Sequence, residues 1–165
     1  MMEWFTAVFT GQTLAFLGIF LAIAFCCLGS AKGIGMVGEA GAGLMTEDPS
    51  RFPQILILEI IPSTNGVYGF VAGMLVITKL NLFGGNEIVQ LTVSQGALTL
   101  MACLPITVIG YLAAIFQARI AAGVVSVIAK RPGELGKGIL IAVMVEFFTI
   151  IGLLISIMMI ISLPY

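Results

Sequence analysis

One carboxylate lies in the middle of an apolar stretch that is long enough to cross a membrane. Glu146 is the only charged residue between positions 139 and 163, and a membrane-spanning helix needs about 20 apolar residues. An acidic side chain at the centre of a bilayer costs roughly 2.5–3.5 kcal/mol on insertion scales. Residues with that cost typically bind and release a proton or a cation, so the sequence predicts an ion site at Glu146.

A second group of polar residues follows a helical spacing. Ile61, Thr64, Asn65 and Tyr68 stand at i, i+3, i+4 and i+7, which places them on one stripe of a helix. Pro62 lies at the top of this stripe, and its missing N–H should kink the backbone. The polar side chains are therefore also expected if they only repair that kink.

Gln117 adds an uncharged amide in an apolar run, and hydrogen bonding between helices would by itself account for it. Together with Glu146 and the stripe, it completes a set of carboxylate, amide, hydroxyl and carbonyl oxygens. Hard cations such as Na⁺ prefer oxygen ligands, whereas a proton needs only the carboxylate and one or two hydrogen-bond partners. The surplus of oxygens favours Na⁺, and Tyr68 could hydrogen-bond the carboxylate.

The composition of the chain is that of a membrane protein. Hydrophobic residues make up 60% and charged residues 9%, against about 25% charged residues in soluble domains. A net charge of -1 gives no basis for nucleic-acid binding, and histidine is absent. Cys26, Cys27 and Cys103 lack metal-ligand spacing and are predicted to be buried thiols. Glu3 and the lack of a basic leader argue against a cleaved signal peptide.

The hydrophobic pattern predicts four helical segments that form two tandem hairpins. The segments cover residues 13–45, 53–79, 93–130 and 136–162. Turn-like runs separate them, at 46–51, 81–90 and 130–134. Residues 1–165 are thus read as one all-α membrane domain, with a first hairpin at 13–79 and a second at 93–162. The first segment, at 1.5 Å per residue, spans roughly 50 Å and should project past the bilayer.

The two hairpins form an internal repeat. A shift of 83 residues superimposes Pro49 on Pro132 and Gly69 on Gly152. The same shift places Ser63 on Glu146, so only the second hairpin carries the carboxylate. An even number of spans separates the halves, which makes the repeat parallel and does not favour the inverted repeats of many secondary transporters.

Basic residues predict the orientation in the membrane. Arg51, Lys130, Arg131 and Lys137 flank the two short hairpin turns, whereas Lys79 lies at the opposite end. The excess of positive charge on cytoplasmic loops predicts that the hairpin turns are cytoplasmic and that both termini are outside. The chain is therefore expected to be a multi-pass protein of the cell membrane.

Glycine is dense in the first segment, with a four-residue spacing that allows helices to approach closely. Gly29 and Gly33 show this spacing, and Gly35 and Gly43 show it with one interruption at Glu39. The pattern fits either a ring of tightly packed helices or packing within the chain. Gly33, Gly35 and Gly38 also spell G-x-G-x-x-G. That motif requires a preceding strand, so we do not interpret it as a dinucleotide site.

Several motifs carry a resemblance to a known family. They are the run Gly29-Ser30-Ala31-Lys32-Gly33, the triplets Gly38-Glu39-Ala40 and Met144-Val145-Glu146, and the segment 62–70. With the duplicated four-helix pattern, they resemble the membrane-ring proteolipid of V/A-type ATPases, the K or c-type subunit in its duplicated, roughly 16-kDa form. The resemblance covers the whole chain and is closest to the bacterial sodium-translocating members.

The resemblance implies a homo-oligomeric ring in lipid that turns past a stator membrane subunit with an arginine. It also implies a central-stalk subunit on the cytoplasmic side and a separate ATP-hydrolysing head, so no catalytic nucleotide site and no organic cofactor are expected in this chain. The implied cargo is Na⁺, with H⁺ as the alternative.

Carried over residue by residue, the resemblance makes Glu146 the ion-binding carboxylate. Gln117, Thr64 and the carbonyl of Ile61 fall on sodium-ligand positions, and Tyr68 falls on the position of the carboxylate's hydrogen-bond partner. Asn65 departs from the sodium-type pattern, which has glutamine there, and is expected to reach the ion weakly or through water. Glu59 also stands where the pattern has an uncharged amide.

Two other classes of protein share some of these features. A small multidrug antiporter also has four helices and a membrane glutamate, but it requires an aromatic-rich cavity around that carboxylate. A structural four-span adaptor would not require Glu146 to bind anything. The glycine-dense first segment favours the ring.

Overall fold

A computed structural model describes residues 9–83 and 87–165 of the chain. Over these residues it contains helices and no strand, and four of its helical spans are long and apolar enough to cross a membrane. The first, second, third and fourth spans are Gly11–Glu47, Pro49–Lys79, Val93–Lys130 and Pro132–Ile161. The all-α membrane fold predicted from the sequence is confirmed. Glu3, on which the prediction about a signal peptide rests, lies outside the described residues, as does the Gly84-Gly85-Asn86 part of the predicted central loop.

The first and third spans begin at matching N-terminal caps. The Thr10 side chain accepts from the Thr13 N–H in one, and the Thr92 side chain accepts from the Gln95 N–H in the other, each within a reciprocal capping box. The cap at Thr10 starts the first helix at Gly11, two residues before the position predicted from hydropathy. The two helices comprise 37 and 38 residues, more than a bilayer requires.

The second span is interrupted at Pro62, as the sequence predicted. It consists of an α-helix, a 3₁₀ turn and a second α-helix, at Phe52–Ile60, Ile61–Ser63 and Thr64–Lys79. The Ser30 hydroxyl of the first span donates to the Pro62 carbonyl at 2.7 Å and accepts from the Gly66 N–H at 2.8 Å. An uninterrupted α-helix pairs that carbonyl and N–H directly, so Ser30 is a side chain inserted into the hydrogen-bond ladder.

The third span has a similar repair beside its proline. Pro105 lies inside the helix, and the N–H of Ile106 donates to the Ser156 hydroxyl of the fourth span at 3.1 Å. Side chains from neighbouring helices commonly satisfy backbone groups that proline frees within a membrane. The two prolines are therefore fixed by contacts between spans.

The glycines of the first span divide between two surroundings. A Cβ at Gly29 would lie 2.8 Å from the Tyr111 carbonyl oxygen of the third span, whereas nothing lies within 4 Å of one at Gly35 or Gly43. Packing within the chain thus explains Gly29 but not the other two. The G-x-G-x-x-G sequence lies inside the first helix, without the strand that a dinucleotide site requires.

The prediction of three buried thiols is wrong for one residue. Cys26 and Cys103 are buried, but Cys27 is exposed on the surface of the chain. Because the α-helix turns 3.6 residues per turn, residues adjacent in sequence point in different directions. Cys26 faces the third span, where its thiol donates to the Ile106 carbonyl, and Cys27 consequently faces away from it.

Lys79 of the second span forms hydrogen bonds to the C-terminal end of the fourth span. Its Nζ donates to the carbonyls of Ile160, Ile161 and Leu163 at 2.8, 3.1 and 2.8 Å, and it lies 5.1 Å from the centre of the Tyr165 ring. The last carbonyls of a helix have no partner within the helix, and the helix dipole favours a cation there. This contact fixes the end of the span that carries Glu146.

Replacing Lys79 with methionine should lower the thermal stability of the detergent-solubilised protein. Hydrogen bonds that involve a charged group are worth about 1.5–3 kcal/mol, and three carbonyls, two of them in part-buried bonds, would lose theirs. Lys137→Met is the matched control, because Lys137 is 78% exposed and forms a surface ion pair with Glu134 that contributes little. Equal melting temperatures for the two variants would contradict the role of Lys79.

Candidate ion site

Glu146 lies near the middle of the fourth-span α-helix, Leu135–Ile161. Its side chain is half-buried, while Met144 and Phe147 beside it are 71% and 60% exposed. The carboxylate therefore lies at the boundary between the interior of the four-helix bundle and its apolar outer surface. A group in this position can be held by neighbouring spans and still be reached from outside the chain.

Two other spans supply hydrogen-bond donors to this carboxylate. The Tyr68 hydroxyl of the second span donates to Oε1 of Glu146 at 2.5 Å. Nε2 of Gln117, on the third span, donates to Oε2 at the longer distance of 3.5 Å. Hydrogen bonds to a carboxylate are stronger than those between neutral groups, so Tyr68 is the closest fixed partner of Glu146.

A chain of hydrogen bonds continues from Gln117 to a second residue of the fourth span. Asn65 donates through Nδ2 to Oε1 of Gln117 at 2.8 Å, and its Oδ1 accepts from the Thr149 hydroxyl at 2.7 Å. Asn65, Gln117 and Thr149 are completely buried. Burying amides without partners is costly. Here each amide nitrogen donates to an acceptor and each amide oxygen accepts from a donor.

Thr64 and Ile61 form a neighbouring pair of oxygens at the interruption of the second span. The Thr64 hydroxyl donates to the Ile61 carbonyl at 3.0 Å. Ile61 belongs to the 3₁₀ turn and Thr64 begins the helix that follows. The bond runs three residues back along the span, as does the bond from Thr78 to Leu75. The structure thus connects four of the six predicted site residues through hydrogen bonds and pairs the other two with each other.

The two amides are oriented differently from what direct ligation would require. Gln117 presents its nitrogen to Glu146, and its oxygen accepts from Asn65. The Asn65 oxygen in turn accepts from Thr149. Ligation of an ion would require the amide oxygens to face it. In this structure both oxygens instead accept hydrogen bonds in the series that runs from Gln117 through Asn65 to Thr149.

Thr149 is the member of this hydrogen-bonded chain that the sequence pattern did not reveal. It stands three residues after Glu146, a spacing at which helical residues are neighbours on one face. That spacing could have indicated that Thr149 shares a helix face with Glu146. Threonine in an apolar helix commonly bonds its own backbone, however, so the residue type alone does not indicate a site.

Glu59 is not a member of the hydrogen-bonded chain. A Cβ at Gly38 of the first span would lie 2.9 Å from Oε1 of Glu59, so this carboxylate lies against the first span. Glu59 is half-buried, and Glu39 is exposed.

The fold and the site define a class of protein. It consists of two tandem membrane hairpins, with a carboxylate in the middle of the fourth span that is hydrogen-bonded by the second and third spans. The family model for the C subunit of ATP synthase matches this chain twice, over residues 17–76 and 100–159, and the chain therefore belongs to that family. The two matched stretches are offset by 83 residues, which is the shift that relates the hairpins in the sequence.

Named relatives support the same membership. The K subunit of the V-type sodium ATPase of Enterococcus hirae is 39% identical over 162 residues, which cover 98% of this chain and 99% of the relative. The K subunit of the A-type ATP synthase of Methanocaldococcus jannaschii is 34% identical over 129 residues, 78% of this chain and 55% of the relative. A V-type proton ATPase subunit of Saccharomyces cerevisiae is 32% identical over 59 residues, 36% of each chain.

Proposed function

We propose that this chain is an ion-translocating subunit of the rotor ring of a V/A-type rotary ATPase. In this proposal Glu146 binds and releases Na⁺ as the ring turns past a stator subunit. The observation that carries it is the position of Glu146, half-buried at the outer surface and held by Tyr68 and Gln117 from two other spans. Membership of the family of the ATP synthase C subunit supports it.

Na⁺ is the proposed cargo for two reasons. The relative from Enterococcus hirae, which aligns over nearly the whole chain, belongs to a sodium ATPase. In addition, the second and third spans carry the amides of Asn65 and Gln117, the Thr64 hydroxyl and the Ile61 carbonyl, and oxygen donors of these kinds are the ligands that a hard cation prefers. We assign Na⁺ coordination to these residues, with Asn65 contributing weakly or through water.

H⁺ is the alternative cargo. A proton requires the carboxylate and one or two hydrogen-bond partners, and Tyr68 and Gln117 contact both oxygens of Glu146. The yeast relative that matches part of this chain belongs to a proton ATPase. The ring function is the same for either ion.

The proposed assembly is a ring of identical copies in lipid. The first and third spans would line its inner wall, and the second and fourth would face outward, where Glu146 can meet an arginine of the stator subunit. The open sides of Gly35 and Gly43 are consistent with close contacts to another copy. The hairpin turns would face the cytoplasm and a central-stalk subunit, with both termini outside.

The antiporter alternative is less well supported by the surroundings of Glu146. Phe147 and Phe148 contact each other edge to face, with ring centres 6.1 Å apart, and are 60% and 64% exposed. Among the described residues, Phe147 is the one aromatic residue that lines the open cavity beside Glu146, so this cavity is not the aromatic-rich one that an antiporter requires.

Carbodiimide labelling of Glu146 tests the proposal and distinguishes the two ions. The purified ring should have the mass of several copies of this chain, and Glu146 should react with the carbodiimide. At fixed pH, Na⁺ should protect the carboxylate from the reagent if Na⁺ is the cargo. Labelling without any protection by Na⁺ would indicate H⁺, and an unreactive Glu146 in a monomeric protein would contradict the ring function.

Removing one proposed ligand should weaken Na⁺ binding without preventing ring assembly. Gln117→Ala and Thr64→Ala each leave a buried cation less well compensated. A loss of about 1.4–3 kcal/mol per ligand corresponds to a 10- to 100-fold weaker affinity. The Na⁺ concentration that gives half-protection of Glu146 against carbodiimide measures the change. A value unaltered by both substitutions would remove these residues from the site.

A further inference from the structure

We propose that Thr149 is a positioning residue for the ion site, which acts on Glu146 through Asn65 and Gln117. This inference rests on the proposed function, since it assigns Thr149 a part in Na⁺ affinity. It is carried by the chain of hydrogen bonds that leaves Thr149 on the fourth span, crosses the second and third spans, and returns to the fourth span at Glu146.

The hydrogen bond of Thr149 differs from that of Thr107, which donates to the Cys103 carbonyl of its own helix at 2.8 Å. Thr99 donates to the Gln95 carbonyl of its own helix and also contacts the Tyr165 hydroxyl. Thr149 instead donates to the Asn65 side chain of another span at 2.7 Å. Its hydroxyl is therefore the hydrogen-bond partner of a buried amide on another span and is not used within its own helix.

This orientation passes to the group beside the carboxylate. With its oxygen held by Thr149, Asn65 must present its nitrogen to Gln117. Gln117 then has its oxygen engaged by Asn65 and its nitrogen directed at Glu146. Because all three side chains are fully buried and bonded to one another, the orientation of one amide constrains that of the next.

A hydroxyl at position 149 also fits the opposite orientation. For the Gln117 oxygen to ligate Na⁺ beside Glu146, the Gln117 amide must reverse, and Asn65 must then reverse to offer Gln117 an acceptor. Asn65 would present its nitrogen to Thr149, whose oxygen can accept because a hydroxyl is both donor and acceptor. Thr149 can therefore complete the chain in either orientation, whereas valine, which has the same shape, can complete neither.

The test compares Thr149→Val with Thr149→Ser and with the matched control Thr107→Val in the intact ring. The probe is Na⁺ alone, measured as its half-protecting concentration for Glu146 against carbodiimide at fixed pH. Loss of a residue that orients metal ligands typically costs 10- to 100-fold in affinity. We expect the half-protecting Na⁺ concentration to rise about tenfold or more in Thr149→Val and to stay near the wild-type value in the other two variants. Thr149→Ala replaces Thr149→Val if the valine ring does not assemble.

A double-mutant cycle tests whether Thr149 acts through Asn65. In an Asn65→Ala background, Thr149→Val should change the half-protecting Na⁺ concentration by less than about twofold, because coupled residues are not additive. A full effect in that background, or none in the wild-type background, would overturn the inference while leaving the ring function intact. If Na⁺ does not protect the wild type at all, the Na⁺ assignment fails first and this inference fails with it.

Discussion

Glu146→Gln should abolish ion transport and the ATP hydrolysis coupled to it, while leaving the ring assembled. Glutamine keeps the shape of glutamate, and its carbonyl oxygen can still accept the hydrogen bond that Tyr68 makes to Oε1. It carries no charge at any relevant pH, however, and it can neither balance a bound cation nor take up a proton. The site could then no longer alternate between a loaded and an unloaded form.

The measurement is Na⁺ uptake and ATP hydrolysis by the complete ATPase in vesicles, with the ring mass determined in parallel. Glu134→Gln is the matched control, since Glu134 belongs to the same hairpin and forms a surface ion pair with Lys137, which contributes little. Both activities should fall to background in the first variant and stay near wild type in the second. Normal pumping by an assembled Glu146→Gln ring would refute the role of this carboxylate.

The span architecture could be predicted because the bilayer imposes it. Apolar stretches of membrane length must become helices, since a lipid-exposed backbone has to satisfy its own hydrogen bonds. The predicted segments 93–130 and 136–162 consequently agree with the helices Val93–Lys130 and Leu135–Ile161 within one residue at each end. Glu146 was identifiable by the same reasoning, because the cost of a charge depends on its depth in the membrane.

The partners of the site were harder to predict, because they depend on how helices are rotated against one another. A stripe of polar residues indicates which residues share a face, but not which side chain of another span meets them. The contacts Thr149 to Asn65 and Ser30 to Pro62 each join residues from different spans. Both hydroxyl residues look unremarkable in sequence, since serine and threonine are tolerated in membrane helices without any such partner.

The orientation of the amides is a further feature that residue types cannot supply. Gln117 and Asn65 each carry a donor and an acceptor, so their presence is compatible with cation ligation and with hydrogen bonding alike. In this structure the Glu146 carboxylate accepts from the Gln117 nitrogen, and the orientations of Gln117, Asn65 and Thr149 follow one another from there. The number of polar oxygens near a carboxylate therefore does not show whether they ligate a cation or accept hydrogen bonds.

The glycine spacing of the first span allowed two explanations, and the structure separates them by residue. Gly29 is buried against the backbone of Tyr111, while Gly35 is exposed, with open space where a side chain would begin. Gly29 is followed by Gly33 four residues later, and Gly35 by Gly43 eight residues later, so the spacing alone does not show which glycine a neighbouring helix requires.

Gly29→Val should therefore prevent the first and third spans from packing, while Gly35→Val should leave the fold of the chain intact. The added Cβ at position 29 would lie 2.8 Å from a carbonyl oxygen and 3.0 Å from the Cα of Tyr111. Backbone atoms cannot rotate out of the way as a side chain can. Overpacking typically costs about 1–3 kcal/mol even where side chains adjust, so the rigid contact at Gly29 should exceed that range.

The amount of protease-resistant, membrane-inserted protein measures the first effect, and the mass of the detergent-solubilised ring measures assembly. Gly29→Val should yield little of either. Gly35→Val should yield protease-resistant protein at the wild-type level, because position 35 meets nothing within the chain. If that protein nevertheless fails to form rings, the open stripe of Gly35 and Gly43 lies at the contact between copies. Equal loss of folded protein in both variants would contradict the division of the glycines.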